Sequence, residues 1–147
     1  IPVEIVELST VEKLVNNNTV VITVGGGGIP VVKDDNWYSG VAAVIDKDRA
    51  SSKLALDLKA DMLVILTAVE KVCINFNKPN QQELSEMSVE QANQYIQEGH
   101  FAAGSMLPKV QACLEYVTNC ENSQALITSL EKAKEALQGK TGTIIHK

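Results

Sequence analysis

No run of apolar residues in this 147-residue chain reaches the ~20 needed for a helical membrane span. Clustered positive charge is also missing. Thirteen Lys and Arg stand against eighteen Asp and Glu, for a net charge of −5 and a pI near 5.0. That balance argues against a nucleic-acid surface, because phosphate backbones need grouped Lys and Arg. Cysteine is sparse. Cys73, Cys113 and Cys120 are odd in number and match no zinc spacing. Free thiols of this kind suit a reducing, cytoplasmic setting. The N-terminus has no basic n-region, no cleavage pattern and no starting Met. The expectation is a chain that begins inside a longer protein. Asn17-Asn18-Thr19, a formal glycosylation sequon, carries no weight without a secretory signal. There is no Walker A loop. Gly139-Lys140-Thr141 lacks the upstream glycine and follows a helical rather than a strand pattern.

What is present suits one compact core, with 45% apolar residues. The continuous β-branched run at residues 20–24 predicts a strand buried on both faces, as does the run at 62–66. Further strands are expected at 72–76, 125–127 and 143–145. Helices are predicted at 9–15, behind a Ser9/Glu12 capping box, at 48–58, and from Ser88 with Gln91 as its capping-box partner. Gly99 ends the last of these. The next helix starts at Ser105-Met106-Leu107-Pro108-Lys109, and Val110, Cys113, Leu114 and Val117 form its buried stripe. A final helix is expected at 130–137. Residues 34–40 read as a hairpin or flap, with Trp37 and Tyr38 capping it. Strands alternating with helices imply an α/β fold, a mainly parallel sheet covered by helices on both faces.

Candidate chemistry falls in a few places. Gly25-Gly26-Gly27-Gly28 follows a strand pattern, so its backbone can turn sharply and approach an anion. A tight strand exit with no ligand is the alternative. Lys47 and Lys109 both sit near helix N-termini, against the helix dipole. A shared phosphate would account for both, whereas two solvated surface lysines are the bland account. His100 follows a helix-ending glycine, where it satisfies carbonyls, and His146 lies near the chain end. Neither reads as catalytic. Asp34-Asp35 and Glu83/Glu86 read as solvated charges. No residues are assigned to a metal.

Together these strings are more specific. Val24-Gly25-Gly26-Gly27-Gly28-Ile29-Pro30-Val31, Val44-Ile45-Asp46-Lys47-Asp48 and Gly104-Ser105-Met106-Leu107-Pro108-Lys109 resemble, in order and spacing, motifs of carbamate kinases. Ala125-Leu126-Ile127-Thr128-Ser129-Leu130 and Gly142-Thr143-Ile144-Ile145 resemble that family's closing strands. The resemblance covers essentially the whole chain and matches the family's C-terminal half. It implies the amino acid kinase fold, a three-layer α/β/α sandwich whose N-terminal part is missing from this chain. It also implies reversible phosphoryl transfer between ATP and carbamate, running toward ATP from ADP and carbamoyl phosphate in arginine degradation.

By the same resemblance, Lys47 and Lys109 contact the transferring phosphates and Asp48 orients them. Thr67, Val69 and Met106 lie toward the adenine, and Gly25, Gly26, Gly27 and Gly28 face the acceptor. Residues 1–46 would end the acceptor-side lobe and 47–147 form the nucleotide-binding lobe. ATP or ADP with Mg²⁺ is the implied cofactor, carbamate or carbamoyl phosphate the small-molecule substrate, and a homodimer the full-length assembly. A further catalytic lysine, a first glycine loop and much of the acceptor site would belong to the N-terminal half. Where related kinases often carry an Asp, this chain has Ala68, a departure that bears on metal or ribose contacts. Two other readings stand beside this one. The chain is another member of the fold, such as an acetylglutamate or uridylate kinase, or it is a non-catalytic nucleotide-binding or interaction module.

Overall fold

The computed structural model describes residues 1–35 and 37–147. Asn36, inside the expected hairpin, lies outside the described residues. In chain order the elements are α1 (Leu8–Asn16), β1 (Val31–Asp34), β2 (Trp37–Gly40), α2 (Lys47–Asp57), β3 (Met62–Thr67), β4 (Val72–Ile74) and β5 (Gln82–Leu84). There follow β6 (Glu86–Ser88), α3 (Val89–Gln97), α4 (Met106–Asn119), β7 (Gln124–Ser129), α5 (Ala133–Leu137) and β8 (Thr143–His146).

The central sheet has the order β3-β7-β8-β6. β3 runs parallel to β7 and β6 parallel to β8, while β7 and β8 are antiparallel. Alternation along β7 sets the layers. Ala125 and Ile127 enter the core shared with α4, including Val110, Cys113 and Val117. Leu126 points the other way, toward α5: a Cβ on Gly142 would lie 2.7 Å from the Leu126 side chain and 3.3 Å from that of Ala136. Gly142 also has φ +88°, so no other residue fits there without strain. Helices thus cover both faces, and the three-layer α/β/α arrangement expected from the sequence is present. The Ser88–Gln91 capping box forms with both of its hydrogen bonds.

Other expectations fail for physical reasons. Residues 20–24 form no strand; Val20 is 94% and Ile22 97% exposed. β-Branching makes a segment fit a pleated, half-buried surface, but a ladder needs a neighbour. No described strand lies beside this segment. Val24 adopts φ +52°, which ends any extended geometry just before the glycines. β3 forms as predicted but is buried on one face only, with Leu63 and Ile65 inside and Met62 and Leu66 exposed. α1 begins at Leu8 behind Glu7, so the Ser9/Glu12 box never forms. Residues 130–132 turn under the Ser129 hydroxyl, which accepts from the Lys132 N–H at 3.3 Å, and delay α5 to Ala133.

Cys113 is core, as its place on the helical stripe predicted. Burial pushes its thiol up, nearby Asp48 adds to this, and Lys109 opposes it. A thiol that holds its proton longer when folded leaves stability unaffected below the unfolded value and erodes it above. Stability should therefore fall above about pH 8.5, this thiol contributing up to about 1.4 kcal/mol per pH unit. Denaturant titrations between pH 8 and 10 check this. The wild-type curve should fall more steeply than that of Cys113→Ala, and equal slopes would contradict it.

Candidate active site

The site is built where the starts of α2 and α4 converge. Asp46 caps α2, its Oδ1 accepting from the N–H groups of Asp48 at 3.0 Å and Arg49 at 3.1 Å. That cap fixes the first turn and aims Asp48 inward toward α4. One carboxylate oxygen, Asp48 Oδ2, then takes Lys109 Nζ at 3.0 Å and Lys47 Nζ at 3.3 Å. The Asp48 and Lys109 side chains are 8% and 12% exposed, whereas Lys47 is 58% exposed.

The arrangement carries two positive charges and one negative. The Asp fixes two ammonium groups close together and leaves a net positive charge at the surface. That surplus is what a polyanion would meet. The helix ends contribute unequally. The N–H groups of Asp48 and Arg49 are taken by Asp46, so α2 offers mainly its lysine. Ser105 places no side-chain cap on α4.

The glycine loop reaches the same place. A Cβ on Gly27 would lie 1.9 Å from the Ile45 carbonyl oxygen, immediately before the α2 cap, and Gly27 has φ +127°. Only glycine allows this contact, which sets the loop against the start of α2. Gly25, Gly27 and Gly28 line a cavity of about 550 Å³ with Glu7, Val24 and Tyr38. Gly26 lies in the same loop and is exposed.

At the start of α4 a second cavity of about 480 Å³ is lined by Thr67, Val69 and Met106 together with Phe76, His100 and Phe101. Met106 and Lys109 lie within one helical turn, so α4 links this cavity to the charged cluster. Thr67, Val69 and Met106 are thus brought together, as are Lys47, Asp48 and Lys109. Phe76 and Asn75 were missed from the sequence. The strand expected at 72–76 stops at Ile74, so both fall in the loop after β4, and only the chain's path brings them to Met106. Among the described residues no group of three or more His, Cys, Asp or Glu is placed to hold a metal.

Residues 1–129 match the amino acid kinase family. The chain belongs to that family. It is 57% identical over 144 residues to the carbamate kinase-like protein YqeA of Escherichia coli, covering 98% of this chain and 46% of that protein. It is 53% identical over 146 residues to a carbamate kinase of Staphylococcus haemolyticus, covering 99% and 47%. The structure of Giardia lamblia carbamate kinase bound to AMP-PNP superposes with a TM-score of 0.96 at 46% identity, over 99% of this chain and 46% of that one. The chain thus spans about half the length of the relatives it matches.

Proposed function

We propose that this chain supplies the nucleotide-binding part of a carbamate kinase, which transfers a phosphoryl group between ATP and carbamate. The observation that carries this reading is the meeting of Lys47 and Lys109 on one oxygen of Asp48, beside an apolar cavity large enough for a base. Phosphoryl transfer asks little covalent chemistry of the protein. It asks for positioning and for positive charge over the phosphoryl oxygens. Lys47 and Lys109 are assigned that charge and Asp48 their orientation. Thr67, Val69 and Met106 are assigned to the base. The loop of Gly25, Gly26, Gly27 and Gly28, packed against the start of α2, is assigned to the acceptor side.

On this assignment residues 1–46 end the acceptor lobe and residues 47–147 form the nucleotide lobe. The donor set fits a nucleotide's phosphates but makes no protein cage for Mg²⁺, since Asp48 is already engaged by two lysines. Mg²⁺ characteristically binds through substrate phosphates with one or two carboxylates, so the metal is assigned to the nucleotide. A homodimeric, cytoplasmic enzyme of arginine degradation, working toward ATP, completes the reading.

The relatives favour carbamate as acceptor over the amino acid or nucleotide acceptors of other kinases of this fold. In the full-length protein containing this chain, carbamoyl phosphate and ADP should yield ATP, while UMP and N-acetylglutamate should not be phosphorylated. ATP formation is read by a coupled luminescence assay. Phosphorylation of either alternative acceptor, with none from carbamoyl phosphate, would overturn the assignment.

A further inference from the structure

Besides the end of β3 with Thr67 and Val69, the cavity beside Met106 has two walls from separate parts of the chain. One is the loop after β4, residues 75–81. The other is the connection between α3 and α4, residues 98–105. We infer that His100 is a positioning residue that clasps these walls together and fixes the width of the pocket in which the nucleotide is bound. The inference rests on the reading of that cavity as the nucleotide pocket.

Both ring nitrogens of His100 are engaged. Nδ1 lies 3.4 Å from the backbone nitrogen of Asn75, and Nε2 lies 3.0 Å from Glu98 Oε2. The Asn75 N–H is only a donor, so Nδ1 must accept. The ring proton therefore sits on Nε2 and is donated to Glu98. The partner carboxylate is itself held: Gln94 Nε2 donates to Glu98 Oε1 at 2.7 Å. The Gln94 amide first, and His100 next, keep the Glu98 carboxyl below the usual carboxylate range, so it is an anion ready to accept. The ring is further fixed by Tyr95, which meets it edge-on at 5.7 Å, and by the His100 N–H, which donates to the Tyr95 carbonyl at 3.0 Å. The side chain is 17% exposed.

The opposite wall needs such an anchor. Asn75 and Asn77 both have positive φ, +53° and +60°. The loop bonds mainly to itself, through Lys78 N–H to the Asn75 carbonyl and Asn77 N–H to Gln81 Oε1. Asn75 Nδ2 also donates to the Asn80 carbonyl within the loop, and Gln81 Nε2 reaches back to Cys73 in β4. Among the described residues, Asn75 to His100 is the one hydrogen bond from this loop to the facing wall. A histidine that only filled the core would not need one ring nitrogen bonded across the cavity and the other held by a carboxylate on its own wall.

The test compares His100→Phe, which keeps the ring volume, with His100→Asn, whose Oδ1 stands near the position of Nδ1. ADP affinity is measured by calorimetry and exchange of the Asn75 amide by NMR. Losing the clasp should weaken ADP by about 10-fold in His100→Phe and speed Asn75 exchange, the scale of one lost hydrogen bond. His100→Asn should restore both. Met106→Trp, which fills the cavity, serves as the control for the pocket. ADP loss in Met106→Trp with unchanged affinity in His100→Phe overturns the clasp alone. Unchanged affinity in Met106→Trp overturns the pocket reading and the clasp with it. Equal losses in His100→Phe and His100→Asn, tracking a drop in melting temperature, would reduce His100 to a core residue and also overturn the inference.

Discussion

The Asp48→Ala variant should lose stability while losing less ADP affinity than Lys109→Met. The two effects separate because Asp48 has two jobs of opposite electrostatic sign. In the fold it neutralises Lys109, which is 12% exposed and bonds it at 3.0 Å. Removing one partner of a buried pair leaves an uncompensated charge and costs about 3–5 kcal/mol. The Lys47 contact adds little, because that side chain is 58% exposed and its pairing is screened. In the site, however, deleting the carboxylate raises the local charge from +1 to +2, which favours a polyanion. Thermal unfolding should show the loss. The Asp48→Ala/Lys109→Met double variant should recover much of it, since the stranded charge is gone. A stable Asp48→Ala protein, or a double variant less stable than either single one, would show that the pair is not buried as described.

A second large effect is expected in turnover. The 147-residue chain by itself should form ATP from ADP and carbamoyl phosphate at no useful rate. Losing one preorganised donor typically costs about 100- to 1000-fold. The chain spans 46% to 47% of its relatives, and the resemblance places a lysine, a glycine loop and most acceptor contacts elsewhere. Losses within one catalytic unit do not multiply, so the lower bound is the safer number. The surface agrees with incompleteness of the sheet. Val20 and Ile22 stand 94% and 97% exposed, and β3 pairs on one edge only among the described residues. Such edges invite pairing with another chain, so the isolated chain should self-associate. Adding the remainder of the kinase domain should restore activity and monodispersity together. Strong ADP-saturable activity from monodisperse 147-residue chain would contradict this.

The legibility of the sequence follows the range of the interactions. Elements fixed by local chemistry were readable: the Ser88–Gln91 box, the buried stripe of α4 and the β7 core positions each announce themselves within a few residues. Lys47 and Lys109 were singled out because a lysine near a helix start opposes the dipole. Their meeting on Asp48 rests on helix packing across 61 residues, which no local pattern encodes. The misreading of residues 20–24 has the same root in reverse. Its composition reports what the segment would do beside a neighbour, and no described strand supplies one. β5 and β6, three residues each with a single core residue apiece, Leu84 and Met87, are too short for an alternating signal. His100 was noted only as following the helix-ending Gly99, and its pairing with Asn75 depends on a loop without a motif.

The central claim is that the phosphates of a nucleotide are held where α2 and α4 begin. Calorimetric titration of ADP into the full-length protein containing this chain, and into its Lys109→Met variant, tests it most directly. A charge-assisted contact is worth about 1.5–3 kcal/mol, so affinity should fall by about 10- to 100-fold in the variant, with the fold retained by circular dichroism. Equal affinity for ADP in the two proteins would contradict the account.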